Sequence, residues 1–157
     1  MIGDRKVNIF YDEVMLGHDP QVDLPFIPSR VEKRVRTVLQ ELKFKWSYPE
    51  HPGRLSAVKT YLDENPVSGT HFASGPSATY EQLSRVHTTS YLDHIFSLAG
   101  ESAWLDRDTT AVSPGSIDAA TAAAGNAIAA VESVINKKSQ SAFALVRPPG
   151  HHAEPVR

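Results

Sequence analysis

The run from Ser113 to Val146, "SPGSIDAATAAAGNAIAAVESVINKK" and, two residues on, "SAFALV", constrains the fold more than any other stretch. Ile117, Ala120, Ala124, Ala127, Ile128, Val131 and Ile135 recur with a period of 3.6 and predict one long amphipathic helix. Ser113 is placed to cap it, and Pro114 suits its first turn. Lys137 and Lys138 stand where the helix dipole is negative. The many alanines let such a helix approach a flat surface closely, as a helix lying on a sheet does. "SAFALV" is short, apolar and without alternation, the pattern of a strand buried on both faces of a parallel sheet. A helix that feeds a buried strand predicts an α/β fold.

The rest of the chain adds one strand and several helices. "KVNIFY" (Lys6–Tyr11) is rich in β-formers and reads as a first strand. Prolines at 20, 25 and 28 impose an irregular loop. Beyond it, "RVEKRVRTVLQELKFKW" has Val31, Val35, Val38, Leu39 and Leu42 at helical spacing and a basic opposite face. That face reads as solvated; a docking patch for an acidic partner is the sharper alternative. "HPGRLSAVKTYLDENP" predicts a helix with Leu55, Val58 and Leu62 on one side, ended before Pro66. "SGTHFASGPSA" reads as loop. Thr79 and Gln82 form a capping box for a short helix. "TTSYLDHIFSLAG" predicts another, stopped at Gly100. Two strands cannot make a sheet large enough for so much helix. The chain is therefore expected to be the N-terminal part of a single α/β domain, a parallel sheet flanked by helices and incomplete as it stands.

Composition excludes several classes. At 157 residues, 41% hydrophobic and 22% charged, the chain has the make-up of an ordinary globular domain. Its net charge of -2 gives no global pull toward nucleic acid or an anionic membrane. It has no cysteine, which removes disulfides and thiolate ligands and suits a reducing compartment. The first twenty residues carry charges at Asp4, Arg5, Lys6, Asp12 and Glu13, so no signal-peptide core is seen there. The expectation is a cytoplasmic protein with no nucleic-acid or membrane partner.

The chemistry is concentrated in "RPPGHHAE" (Arg147–Glu154), just past the second strand. In open α/β folds the site lies beyond the carboxyl ends of the strands. Pro148 and Pro149 fix two φ angles, which predicts a stiff, extended exit. Gly150 permits unusual dihedrals and close backbone approach. His151 and His152 bring two imidazoles, side chains suited to moving protons near neutrality. Neighbouring residues point in different directions, so the pair needs a turn to converge, which makes it a poor chelator of one metal. On spacing alone a proton-handling pair and a polar loop without a role remain equally open. His18, His51, His71, His87 and His94 are scattered and read as hydrogen-bonded or surface residues.

"LVRPPGHHAE" resembles the tandem-histidine motif of the histone deacetylase family, in the form carried by class II deacetylases and bacterial deacetylase-like amidohydrolases. "FYDEVMLGH" is similar to that family's first strand and loop. "HPGRLSAV" resembles its HPER-type segment, with Gly53 where Glu is usual. "VHTTSYLDHI" and "DTTAVSPGSIDAATAAAGNAIAAV" are similar to its His-x-x-x-Tyr-Leu helix and to the approach to its alanine-rich helix. The order is kept through most of the chain, and residues 19–50 look like an insertion.

The resemblance implies the arginase/deacetylase type of sheet and zinc-dependent hydrolysis of an N-acetyl amide, on acetyl-lysine or an acetylated polyamine. It makes His152 the general base, His151 its electrostatic partner, Arg54 a residue of an internal channel, and Glu101 a candidate for holding the substrate backbone. It also implies that the zinc ligands, an Asp-x-His pair and a second Asp, come later than the tandem histidines and are not among these residues. No metal ligand is therefore assigned here, and this chain alone is expected to be inactive. A complementing C-terminal portion or a homo-oligomer would be its partner. The alternative is an inactive family member kept as a binding or regulatory module. A ureohydrolase of the related arginase fold lacks the aspartate–histidine metal motifs it would need.

Overall fold

A computed structural model describes residues 6–20, 34, 50–105 and 110–156. Three parallel strands form its sheet in the order β2–β1–β5, with β1 at Val7–Phe10, β2 at Thr70–Ala73 and β5 at Ser141–Ala144. Ile9 lies in register between Phe72 and Phe143. A two-stranded antiparallel ribbon, β3 (Ala103–Trp104) with β4 (Ala111–Val112), stands apart. The helices are α1 (Gly53–Glu64), α2 (Tyr80–Leu83), α3 (Thr89–Ser97) and α4 (Ser116–Ile135), with a 3₁₀ turn at Glu13–Gly17. The expected insertion at 19–50 and its basic helix lie outside the described residues, apart from Asp19, Pro20, Glu50 and Arg34, which is helical and exposed.

Helix α4 packs on β1 and β5 and against the 3₁₀ turn. Asn8 Nδ2 donates to Ser133 Oγ at 3.0 Å, so the Asn8 side of β1 faces this helix and Ile9 faces away. On that opposite side lies α1, whose Lys59 ammonium sits 4.3 Å from the Phe72 ring centre. Ile9, Met15, Leu55, Ala122, Ala123 and Leu145 gather into the core, with Met15 fully buried. The α/β reading therefore holds: parallel strands with a helix on each side.

Several local expectations need correction. "THFA" (Thr70–Ala73) is a strand, not loop, because β1 offers it a complete parallel ladder. "SAFA" is a strand but, among the described residues, an edge one, and Phe143 is 57% exposed rather than buried on both faces. The long helix starts at Ser116, and the Ser113 hydroxyl is engaged with the His18 loop instead of capping the helix. Its buried face is Ala119, Ala122, Ala123, Asn126, Ala130 and Ser133, whereas Val131 and Ile135 point outward. Two polar contacts set that rotation. Gly75 N–H donates to Asn126 Oδ1 at 2.9 Å, and Ser133 receives Asn8. Gly125 allows the Pro76–Ala78 segment to cross the helix. A Cβ there would lie 2.0 Å from the Pro76 carbonyl oxygen, closer than any side chain tolerates.

The capping signal, which did not depend on distant partners, matches closely. Thr79 accepts from Gln82 N–H while Gln82 Oε1 accepts from Thr79 N–H, the full reciprocal box. Helix α3 itself ends at Ser97, and Gly100, with a φ of 82°, lies in the turn that follows rather than at its cap.

Candidate active site

The parallel strands all deliver their carboxyl ends to one edge, and the residues that follow them meet there. After β1 come Asp12 and the 3₁₀ turn, where Asp12 Oδ1 accepts from Val14 N–H at 3.0 Å. After β2 comes Ser74, whose hydroxyl donates to Asp12 Oδ2 at 2.9 Å. After β5 come Leu145, still hydrogen-bonded to Phe10, and then Arg147. Arg147 is 3% exposed, and its guanidinium donates to the carbonyls of Met15, His18 and Glu50. One buried cation thus ties the exit of β5 to the loop after β1 and to the approach to α1.

The chain bends at Arg147–Pro148, across a cis peptide bond, instead of leaving the strand extended. A turn then follows, closed by Ala153 N–H donating to Gly150 O at 3.0 Å, with His151 and His152 at its centre. The two rings lie 4.0 Å apart between centres, inclined by 49°. The turn thus brings the two adjacent rings side by side. Both histidines are exposed. Gly150 has open space where a Cβ would stand and no left-handed φ, so close approach is not its use here. Pro149 is exposed and Pro148 half-buried.

Arg54 and Glu101 stand elsewhere. Arg54 is on the first turn of α1, exposed and paired with Glu50. Glu101 is exposed in the loop after α3, its N–H donating to Leu98 O at 3.0 Å. The described contacts join neither of them to the histidine turn.

Around the His18 loop, which Arg147 anchors, lies a buried polar cluster that patterning in the sequence does not single out. His18 Nδ1 is 2.7 Å from Ser116 Oγ. Ser116 Oγ accepts from Ser113 N–H at 2.7 Å, and Ser113 Oγ accepts from Asp19 N–H and donates to Gly17 O. The Ser113 and Ser116 hydroxyls also lie 3.0 Å apart, so the cluster closes on itself around the His18 ring. Backbones close tightly beside it, since a Cβ on Gly115 would stand 2.5 Å from Gly17 O. Burial, reinforced by the Arg147 cation, lowers the His18 pKa to about 4.

This makes stability depend on pH. The folded state holds His18 neutral where the unfolded chain would bind a proton. Stability from this group is full above the ordinary imidazole value near 6.5 and is lost as pH falls toward 4. The gap is worth roughly 3 kcal/mol at its full extent. Urea denaturation at pH 7 and 4.5 should show the loss in the parent chain and a smaller one in His18→Gln. Equal losses in both would remove His18 as the cause.

The fold defined by these elements occurs among solved structures. The crystal structure of the HDA15 HD domain superposes on 98% of this chain with a TM-score of 0.76, at 24% identity and over 38% of its own length. In sequence, residues 48–157 match the model of the histone deacetylase domain. The chain belongs to the histone deacetylase family. It is 33% identical over 152 residues to a histone deacetylase-like amidohydrolase of Pseudomonas aeruginosa, across 96% of this chain and 38% of that protein. It is 29% identical to histone deacetylase 8 of Arabidopsis thaliana, across 98% of this chain and 39% of that protein. A probable deacetylase of Archaeoglobus fulgidus shares 41% over 113 residues, 68% of this chain and 31% of its own. The chain thus spans between about a third and two fifths of these relatives' length.

A catalytic zinc needs about three protein ligands and an open position. Among the described residues no three His, Cys, Asp or Glu side chains come together to supply them. The described residues do not fit that metal. No described helix is long and apolar enough to cross a membrane.

Proposed function

We propose that the whole protein is an amidohydrolase that removes acetyl groups from acetyl-lysine or an acetylated polyamine, and that this chain carries its proton-handling pair. The observation that supports this most directly is the Gly150–Ala153 turn, which sets two imidazoles 4.0 Å apart at the carboxyl edge of a parallel sheet. In this reading His152 accepts the proton of a water as its oxygen bonds to the amide carbon. It returns a proton to the nitrogen as the C–N bond breaks, and acetate and a free amine leave. His151 stabilises the imidazolium while it carries that proton. Arg54 would serve a channel for acetate and water, and Glu101 would hold the substrate backbone. The zinc of the family would be held by residues other than those described.

Acetate release from an acetyl-lysine peptide and from an N-acetylpolyamine, assayed on the complete protein, tests this. Turnover of either supports it, and the preferred one names the substrate class. A folded protein that turns over neither defeats it. A binding or regulatory module is the second reading. It is favoured by Phe143, 57% exposed on an edge strand, a surface that invites a partner.

A further inference from the structure

The stretch that follows the histidine turn is held by a second element far away in sequence. His87 Nδ1 lies 2.9 Å from the Glu154 carbonyl oxygen, and Thr88 N–H donates to Pro155 O at 2.8 Å. Every residue from Pro149 to Val156 is exposed, so burial contributes little to fixing this stretch. Among the described residues, these two hydrogen bonds are the ones that join it to the rest of the fold. Upstream, Arg147 anchors the same stretch. The two histidines are therefore held between a buried anchor before them and a clamp after them.

The clamp is itself well positioned. His87 and Thr88 form the entry to α3, whose N-cap Thr88 accepts from Tyr91 N–H at 3.4 Å. The His87 ring lies against Tyr91, 5.2 Å between centres. Leu92, one residue further on, is buried and fixes the helix.

From this we infer that His87 is a positioning residue for the tandem-histidine turn, acting through the Glu154 carbonyl. The inference rests on the turn being the reactive element. A carbonyl oxygen can only accept, so Nδ1 must carry the hydrogen. Free neutral histidine in water prefers the hydrogen on Nε2. In the neutral ring the clamp therefore demands the less common tautomer, and an asparagine side-chain amide can supply a donor at a similar place.

The test is nitrogen NMR of the ring and amide exchange on the full chain, with His87→Ala and His87→Asn, neither of which needs activity. His87 should show the Nδ1–H form. In His87→Ala, exchange of the Thr88 and Ala153 amides should quicken about tenfold, as the loss of one hydrogen bond permits. His87→Asn should restore most of the protection. An Nε2–H ring, unchanged exchange in His87→Ala, or no rescue by asparagine would overturn the inference. So would a His87→Ala chain that unfolds outright, since His87 would then be a general structural residue. A failed deacetylase assay with the clamp intact would count against the proposed activity alone.

Discussion

Replacing Arg147 by leucine is expected to lower stability by roughly 3–5 kcal/mol, because the change strips donors from buried acceptors on separate segments. The Arg147 guanidinium reaches Met15, His18 and Glu50, which lie 132, 129 and 97 residues away in sequence. Leucine keeps the apolar stem and removes the charge, but leaves those carbonyls without this donor. Lysine would keep the charge and still fail, since one ammonium cannot reproduce a planar fork aimed at divergent acceptors. Urea denaturation near pH 7 measures the effect; a change below about 1 kcal/mol would contradict the anchor role. A second readout is independent. The Arg147 cation helps to hold the His18 pKa down to about 4, so His18 should titrate closer to the ordinary range in Arg147→Leu.

What could be read from the sequence divides by range. The Thr79–Gln82 box and the end of α1 before Pro66 each depend on a few consecutive residues, and each stands where it is expected. The rotation of α4 was not readable, because alanine on nearly every side leaves no unique apolar stripe. Asn126, fully buried, and Ser133 decide it through partners on β1 and after β2. Strand β2 was hidden for a similar reason. "THFA" lacks an apolar pattern, and only the β1 ladder makes it a strand. The site was half legible. Tandem imidazoles after a strand are visible as letters, and the need for a turn follows from geometry. Their two tethers, Arg147 to the first loop and His87 to Glu154, span long separations that no local pattern encodes.

The largest kinetic effect falls on His152, and it bears on the central idea that the Gly150–Ala153 turn carries the proton chemistry. In this chain His152 is exposed, and truncating it opens no cavity among the described residues. The kcat of the complete protein on its acetylated substrate, measured for the parent and His152→Ala, should fall about 10²–10⁴-fold, the usual worth of a positioned acid–base group. A His152→Ala protein that cleaves the acetyl amide at the parent rate would contradict the account.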